Sequence, residues 1–170
     1  PRRTCEVLIK ALATCEAETV TFSLTKNGAT FACGPVTVHT KLVEGRFPPY
    51  RDIIPKKPAH KFSIPRVEFA AAVKLAGGMA DDETKRVDFQ FEGGAVEMVA
   101  KSTLGASDVK LELPGYAGDK LEVAFNPAYL ADCFRVCACE SLDVEMTDGG
   151  KPVVFRDGTD YLHLVMPLTG

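Results

Sequence analysis

No run of apolar residues in this chain approaches the roughly 18 that carry a helix across a bilayer. The opening PRRTCEV has none of the layout of a secretory leader, so no membrane association is expected and the cytoplasm is the expected compartment. Six cysteines are present, at 5, 15, 33, 133, 137 and 139, but none are spaced C-x-x-C. The histidines, His39, His60 and His163, are not placed to complete a paired-ligand zinc site, so no metal and no cofactor is expected. The thiols read as small buried hydrophobes, because a chain of this length buries roughly 70% of its unfolded surface and needs no disulfide to hold a core. An excess of positive charge is also missing. Lys and Arg number 20 against 23 Asp and Glu, for a net charge of −3. That excludes a surface that coats nucleic acid all over, but leaves room for a basic stripe on one face. Catalytic spacing is missing as well. Asp81-Asp82-Glu83 with His39 or His163 as base places no nucleophile, base and orienting group together, so the acidic run reads as a solvated loop and no enzyme is expected.

What is present is a repeat. Residues 1–14 place Cys5, Leu8, Ile9 and Leu12 at the spacing of an amphipathic helix, behind a proline at position 1. Strand-like runs follow at 19–24, 29–33 and 36–43, with Asn27-Gly28 as a hairpin signal that tolerates φ > 0. The pattern returns at Pro65, where Phe69, Ala72, Val73 and Ala76 share a helix face, followed by strands at 86–91, 95–101 and 108–113 around Gly93-Gly94. It returns again at Asn126-Pro127, an N-cap followed by a first-turn proline, with Leu130, Cys133, Phe134 and Cys137 as the stripe and strands at 141–147, 152–156 and 161–166. Helix plus three-stranded meander, three times over, predicts an α+β fold with helices on one face of antiparallel sheets. Copies two and three each have a lead-in strand, at 60–64 and 121–125, which the first copy lacks. Residues 56–170 are therefore expected to be one complete domain, and residues 1–55 half of another plus a connector.

That connector, KLVEGRFPPYRDIIP over 41–55, sets Phe47 and Tyr50 around Pro48-Pro49 and ends at Ile53-Ile54-Pro55. Prolines rule out a helix here and make a poor central strand, and each aromatic carries about 150–250 Å² of mostly apolar surface. An extended segment lying in a groove between two packed units is predicted. The outward helix faces hold Arg2, Arg3, Lys10, Arg66, Lys74 and Arg135 against Glu6, Glu68 and Asp132, a positive surplus on an otherwise acidic body. Taken alone, these are ordinary solvated faces with pairs such as Glu6 and Lys10.

The connector, the stretch FNPAYLADCF at 125–134 and the ending YLHLVMPL at 161–168 together resemble the bacterial sliding clamp family, the beta subunit of DNA polymerase III. The resemblance runs along the whole chain and implies about one and a half clamp domains. It implies a ring, a homodimer in the full-length form, that encircles duplex DNA without reading sequence and catalyses nothing. It implies a cleft that docks short peptides of the polymerase III catalytic subunit, the clamp loader and other clamp-binding proteins. Carried onto this sequence, the cleft would use Pro48, Ile53, Asn126, Tyr129, Leu164, Val165, Met166, Pro167 and Leu168. Arg2, Arg3, Lys10, Arg66 and Lys74 would face DNA, and Met79, after two glycines, would lie at the subunit interface. Asp52, Gly150 and the Thr169-Gly170 ending depart from the family pattern and put the peptide preference in question. The alternative from a related class is a standalone short clamp-like protein that binds partner peptides or self-assembles without forming the standard replicative ring.

Overall fold

The computed structural model describes residues 1–169, and the chain divides into two compact units between Pro48 and Pro49. The first unit holds helix α1 (Arg2–Ala13) and an antiparallel sheet ordered β1 (Thr21–Leu24), β2 (Gly28–Cys33), β3 (Val36–Lys41). The first hairpin forms where expected, but not through Asn-Gly chemistry, since neither Asn27 nor Gly28 adopts a positive φ. Thr25 closes it instead, donating to the Gly28 carbonyl through both its backbone N–H (2.8 Å) and its hydroxyl (3.2 Å). By contrast, Gly93 and Gly94 sit at φ 59° and 77°, the left-handed pair that a tight hairpin favours.

Helix α1 departs from the stripe predicted for it. None of its residues is buried, and Cys5, Ile9 and Leu12 are exposed. The partly covered positions are Thr4, Leu8 and Ala11, a face turned one step round the helix and continued by Cys15 just beyond its end. Two links fasten that face. The Thr4 and Thr40 hydroxyls share a 2.7 Å hydrogen bond, and Cys15 is joined to Cys33 by a disulfide. The cysteines are thus not six buried thiols. Two are bonded, Cys5 is exposed, Cys133 and Cys137 are buried and Cys139 is half-buried.

The proline-rich connector is not extended throughout. Tyr50–Asp52 forms one 3-10 turn with Pro49 as its N-cap at φ −73°. The turn needs the N–H groups of Asp52 and Ile53 rather than those of the prolines, so the prolines permit it. Nor are the connector's large side chains buried as expected. Phe47 is 83% exposed, and Tyr50 and Ile53 are exposed.

The second unit contains β4 (His60–Pro65), α2 (Arg66–Gly77), β5 (Val87–Glu92), β6 (Ala95–Ser102), β7 (Gly105–Glu112), β8 (Leu121–Phe125), α3 (Pro127–Val136), β9 (Ser141–Met146), β10 (Val153–Asp157) and β11 (Tyr161–Val165). Its two sheets run β7-β6-β5-β8 and β11-β10-β9-β4, so each repeat gives its lead-in strand to the other repeat's meander. Phe62 of β4 lies opposite Val144 of β9, and Val123 of β8 opposite Phe89 of β5. Both helices bury the stripes that their periodicity predicts, joined by the Cys137 C-cap at the end of α3. Phe69 of α2 meets Phe134 of α3 edge-on at 5.8 Å and stacks near Phe89 at 6.3 Å, while Phe134 reaches Phe155 at 6.3 Å. One continuous core thus spans both helices and both sheets.

Candidate functional site

Alternation along the C-terminal tail follows from its extended backbone. Val165 ends β11 inside the core at 3% exposure, Met166 points outward at 54%, and Pro167 is buried again. The Leu168 N–H then donates to the Ala124 carbonyl at 2.8 Å, tying the tail to β8. Met166 is therefore an exposed thioether on a tail held at both sides. It borders a hollow of about 300 Å³ lined also by Tyr129, Asp132, His163, Leu164 and Val165.

Helix α3 supplies the facing wall. Asn126 caps it, its side-chain oxygen accepting the Ala128 N–H at 2.9 Å, and Pro127 opens the first turn. The cap sets where the helix begins and so where Tyr129 and Asp132 project, three residues apart and on one face. His163 joins this helix to β11. Its Nε2 lies 3.1 Å from the Tyr129 carbonyl, which can only accept, so Nε2 carries the hydrogen. Its Nδ1 is left to the Tyr161 hydroxyl at 3.2 Å.

The structure thus brings Tyr129, Leu164, Val165 and Met166 together, with Asn126 and Pro167 as their supports. Leu168 borders a different, polar depression of about 390 Å³ that includes Arg86, Asp88, Glu97 and Glu122. Ile53 is exposed and does not line the tail hollow, and Pro48, in the other unit, is exposed. Asp132 and His163 were not among the sequence candidates for this site. The i, i+3 spacing from Tyr129 could have found Asp132, whereas nothing in the sequence places His163 beside Tyr129.

The basic candidates divide by what holds them. Arg2 is paired with Glu6 at 2.9 Å with 81% of its side chain exposed, and Arg3 and Lys10 are exposed on α1. Lys74 is exposed on α2, beside a groove of about 650 Å³ between α2 and α3 that is also rimmed by Arg66 and Arg135. Arg66 has a second task. Its guanidinium donates to the Cys139 carbonyl at 2.6 Å and the Phe134 carbonyl at 3.4 Å, capping the end of α3 from the start of α2. Arg66→Met is expected to lower stability by about 2 kcal/mol, since charged hydrogen bonds to two carbonyls are lost, and urea unfolding measures it. Arg135 pairs with Asp132 at 2.6 Å. Met79 is half-buried, its methyl group over Gly105 at the start of β7.

Among the described residues, no group of three or more His, Cys, Asp or Glu side chains is placed to hold a metal ion, and no helix is long and apolar enough to cross a membrane. Burial pushes the Cys133 thiol far up, and the neighbouring Cys137 sulfur, 3.9 Å away, adds to this, so Cys133 is held as a neutral thiol in the core.

The sequence profile of the DNA polymerase III beta subunit, C-terminal domain, matches residues 51–169. The chain belongs to that family. Among relatives, the beta sliding clamp of Chlamydia pneumoniae is 26% identical over 169 residues, covering 99% of this chain and 45% of its own length. That of Treponema pallidum is 27% identical over 155 residues, covering 88% and 42%. Among solved structures, the sliding clamp from Bartonella birtlesii bound to griselimycin superposes with a TM-score of 0.85 at 27% identity, over 100% of this chain and 46% of that one. The Caulobacter crescentus beta sliding clamp gives a TM-score of 0.87 at 23% identity over 100% and 46%. The clamp-family chain described here therefore spans less than half the length of these relatives, and its repeated helix-and-meander plan is that of the clamp fold.

Proposed function

We propose that this chain serves as part of a non-catalytic processivity clamp. In that reading it contributes to a ring, built as a homodimer by the full-length protein, that encircles and slides on duplex DNA. Its residues 1–55 would be the second half of a middle clamp domain with the connector, and residues 56–170 the C-terminal domain. Processivity comes from tethering, which raises the polymerase's local concentration on the template without adding tight DNA contacts. Arg2, Arg3, Lys10 and Lys74 offer the exposed cations that a sequence-independent phosphate surface needs. Arg66 would act there with only part of its charge, because it also caps α3.

The observation that carries the docking part is Met166, exposed beside an apolar hollow on a tail fixed by Val165 and by the Leu168 hydrogen bond. A polarizable, unbranched side chain over a small pocket suits a surface that accepts varied peptides from the polymerase III catalytic subunit, the clamp loader and other partners. Met166→Ala with Leu168→Ala is expected to weaken binding of a fluorescein-labelled short apolar clamp-binding peptide by at least about tenfold, or 1.4 kcal/mol. The thermal midpoint should stay close to that of the unaltered chain. Unchanged fluorescence anisotropy titrations would remove the docking assignment.

A further inference from the structure

Among the described residues, the lining of the tail hollow has one formally charged side chain, Asp132, and its sign points to a class of peptide. We infer, resting on the docking reading above, that the Tyr129–Met166 hollow prefers a peptide whose apolar anchor has a lysine or arginine beside it, with Asp132 as the acceptor. At about 300 Å³ the hollow is at the small end of ligand sites, sized for an anchoring side chain rather than a folded ligand. Its apolar walls, Tyr129, Leu164, Val165 and Met166, take that anchor. Of the polar groups, His163 is already engaged at both ring nitrogens, by the Tyr129 carbonyl and the Tyr161 hydroxyl. It fixes the wall and has little to offer an incoming peptide.

Asp132 is different. Its partner Arg135 lies on the outer helix surface, with 70% of the Arg135 and 45% of the Asp132 side chain exposed. Exposed pairs of this kind hold weakly, so a peptide cation can take or share the carboxylate. A peptide carboxylate at the same place meets repulsion instead. Charge selection of this sort discriminates between partners more than it adds affinity.

The test uses the whole chain and two fluorescein-labelled peptides with identical apolar anchors, one with lysine and one with glutamate next to the anchor. The lysine peptide is expected to bind about fivefold more tightly at low salt, the gap narrowing as salt screens the exposed carboxylate. Asp132→Asn should bring the two affinities to within about twofold while the anchor still binds. Equal binding of both peptides to the unaltered chain overturns the charge preference and leaves the hollow as a docking site. A preference for lysine that survives Asp132→Asn overturns the role of Asp132. Failure of both peptides to bind overturns the docking reading and this inference together.

Discussion

Loss of the Cys15–Cys33 bond should release α1. In the double variant Cys15→Ala/Cys33→Ala, or after exchange with a dithiol, the first unit is expected to lose about 3 kcal/mol, the value for a closed loop of this size. The separation of the two cysteines is 18 residues. The effect should be large because so little else holds the helix. It buries no residue, its exposed side carries Ile9 and Leu12, and an isolated helix of about this length is marginal in water. Tryptic cleavage after Lys10 should accelerate several-fold on reduction, and thiol counting on the untreated chain should find four reactive or denaturant-exposed thiols, since Cys5, Cys133, Cys137 and Cys139 are free. Equal cleavage rates with and without dithiol would refute the tether.

Phe134→Ala is expected to cost the second unit about 3–5 kcal/mol, the range for emptying a well-packed aromatic site. Phe134 is 6% exposed and stands edge-on to Phe69 of α2 and to Phe155 of β10, so its ring connects helix to helix and helix to sheet. The backbone carbonyl that Arg66 caps belongs to this same residue, so any shift of α3 also loosens that bond. Urea unfolding should show a lower midpoint with little change in slope. A loss below about 1 kcal/mol would mean that the surrounding core closes over the space, against the close packing described.

The repeat was legible because period and punctuation agree. The stripes of α2 and α3 are all buried, and Gly93-Gly94 turns the chain with the expected left-handed backbone. The same reading failed on α1. Periodicity names an apolar face, but the face that packs there is chosen by Thr4 and by the disulfide, which is a pairing in space that spacing does not encode. Asn27-Gly28 marked the hairpin for the wrong reason, since the Thr25 hydroxyl offered a competing closure. At the candidate site, the alternation of Val165, Met166 and Pro167 could be anticipated from an extended tail. His163 could not, because its contact with the Tyr129 carbonyl depends on how β11 lies against α3, and Arg66 reads as a surface cation until the end of α3 is seen beneath it.

The trading of β4 and β8 between repeats has a kinetic consequence. Ser63 and Asp143, bonded across that exchange, are separated by 80 positions, so neither sheet is finished until distant parts of the chain have met. Closing so long a loop costs entropy before any contact repays it, and non-local pairing of this kind slows assembly. A nascent chain leaving the ribosome can shape α2 and its meander early, yet the strand that completes that sheet is made later, and β4 must wait longer still for β9. The two repeats are therefore expected to mature in a single cooperative event, with an open sheet border shortly before it as the species most prone to misassociate.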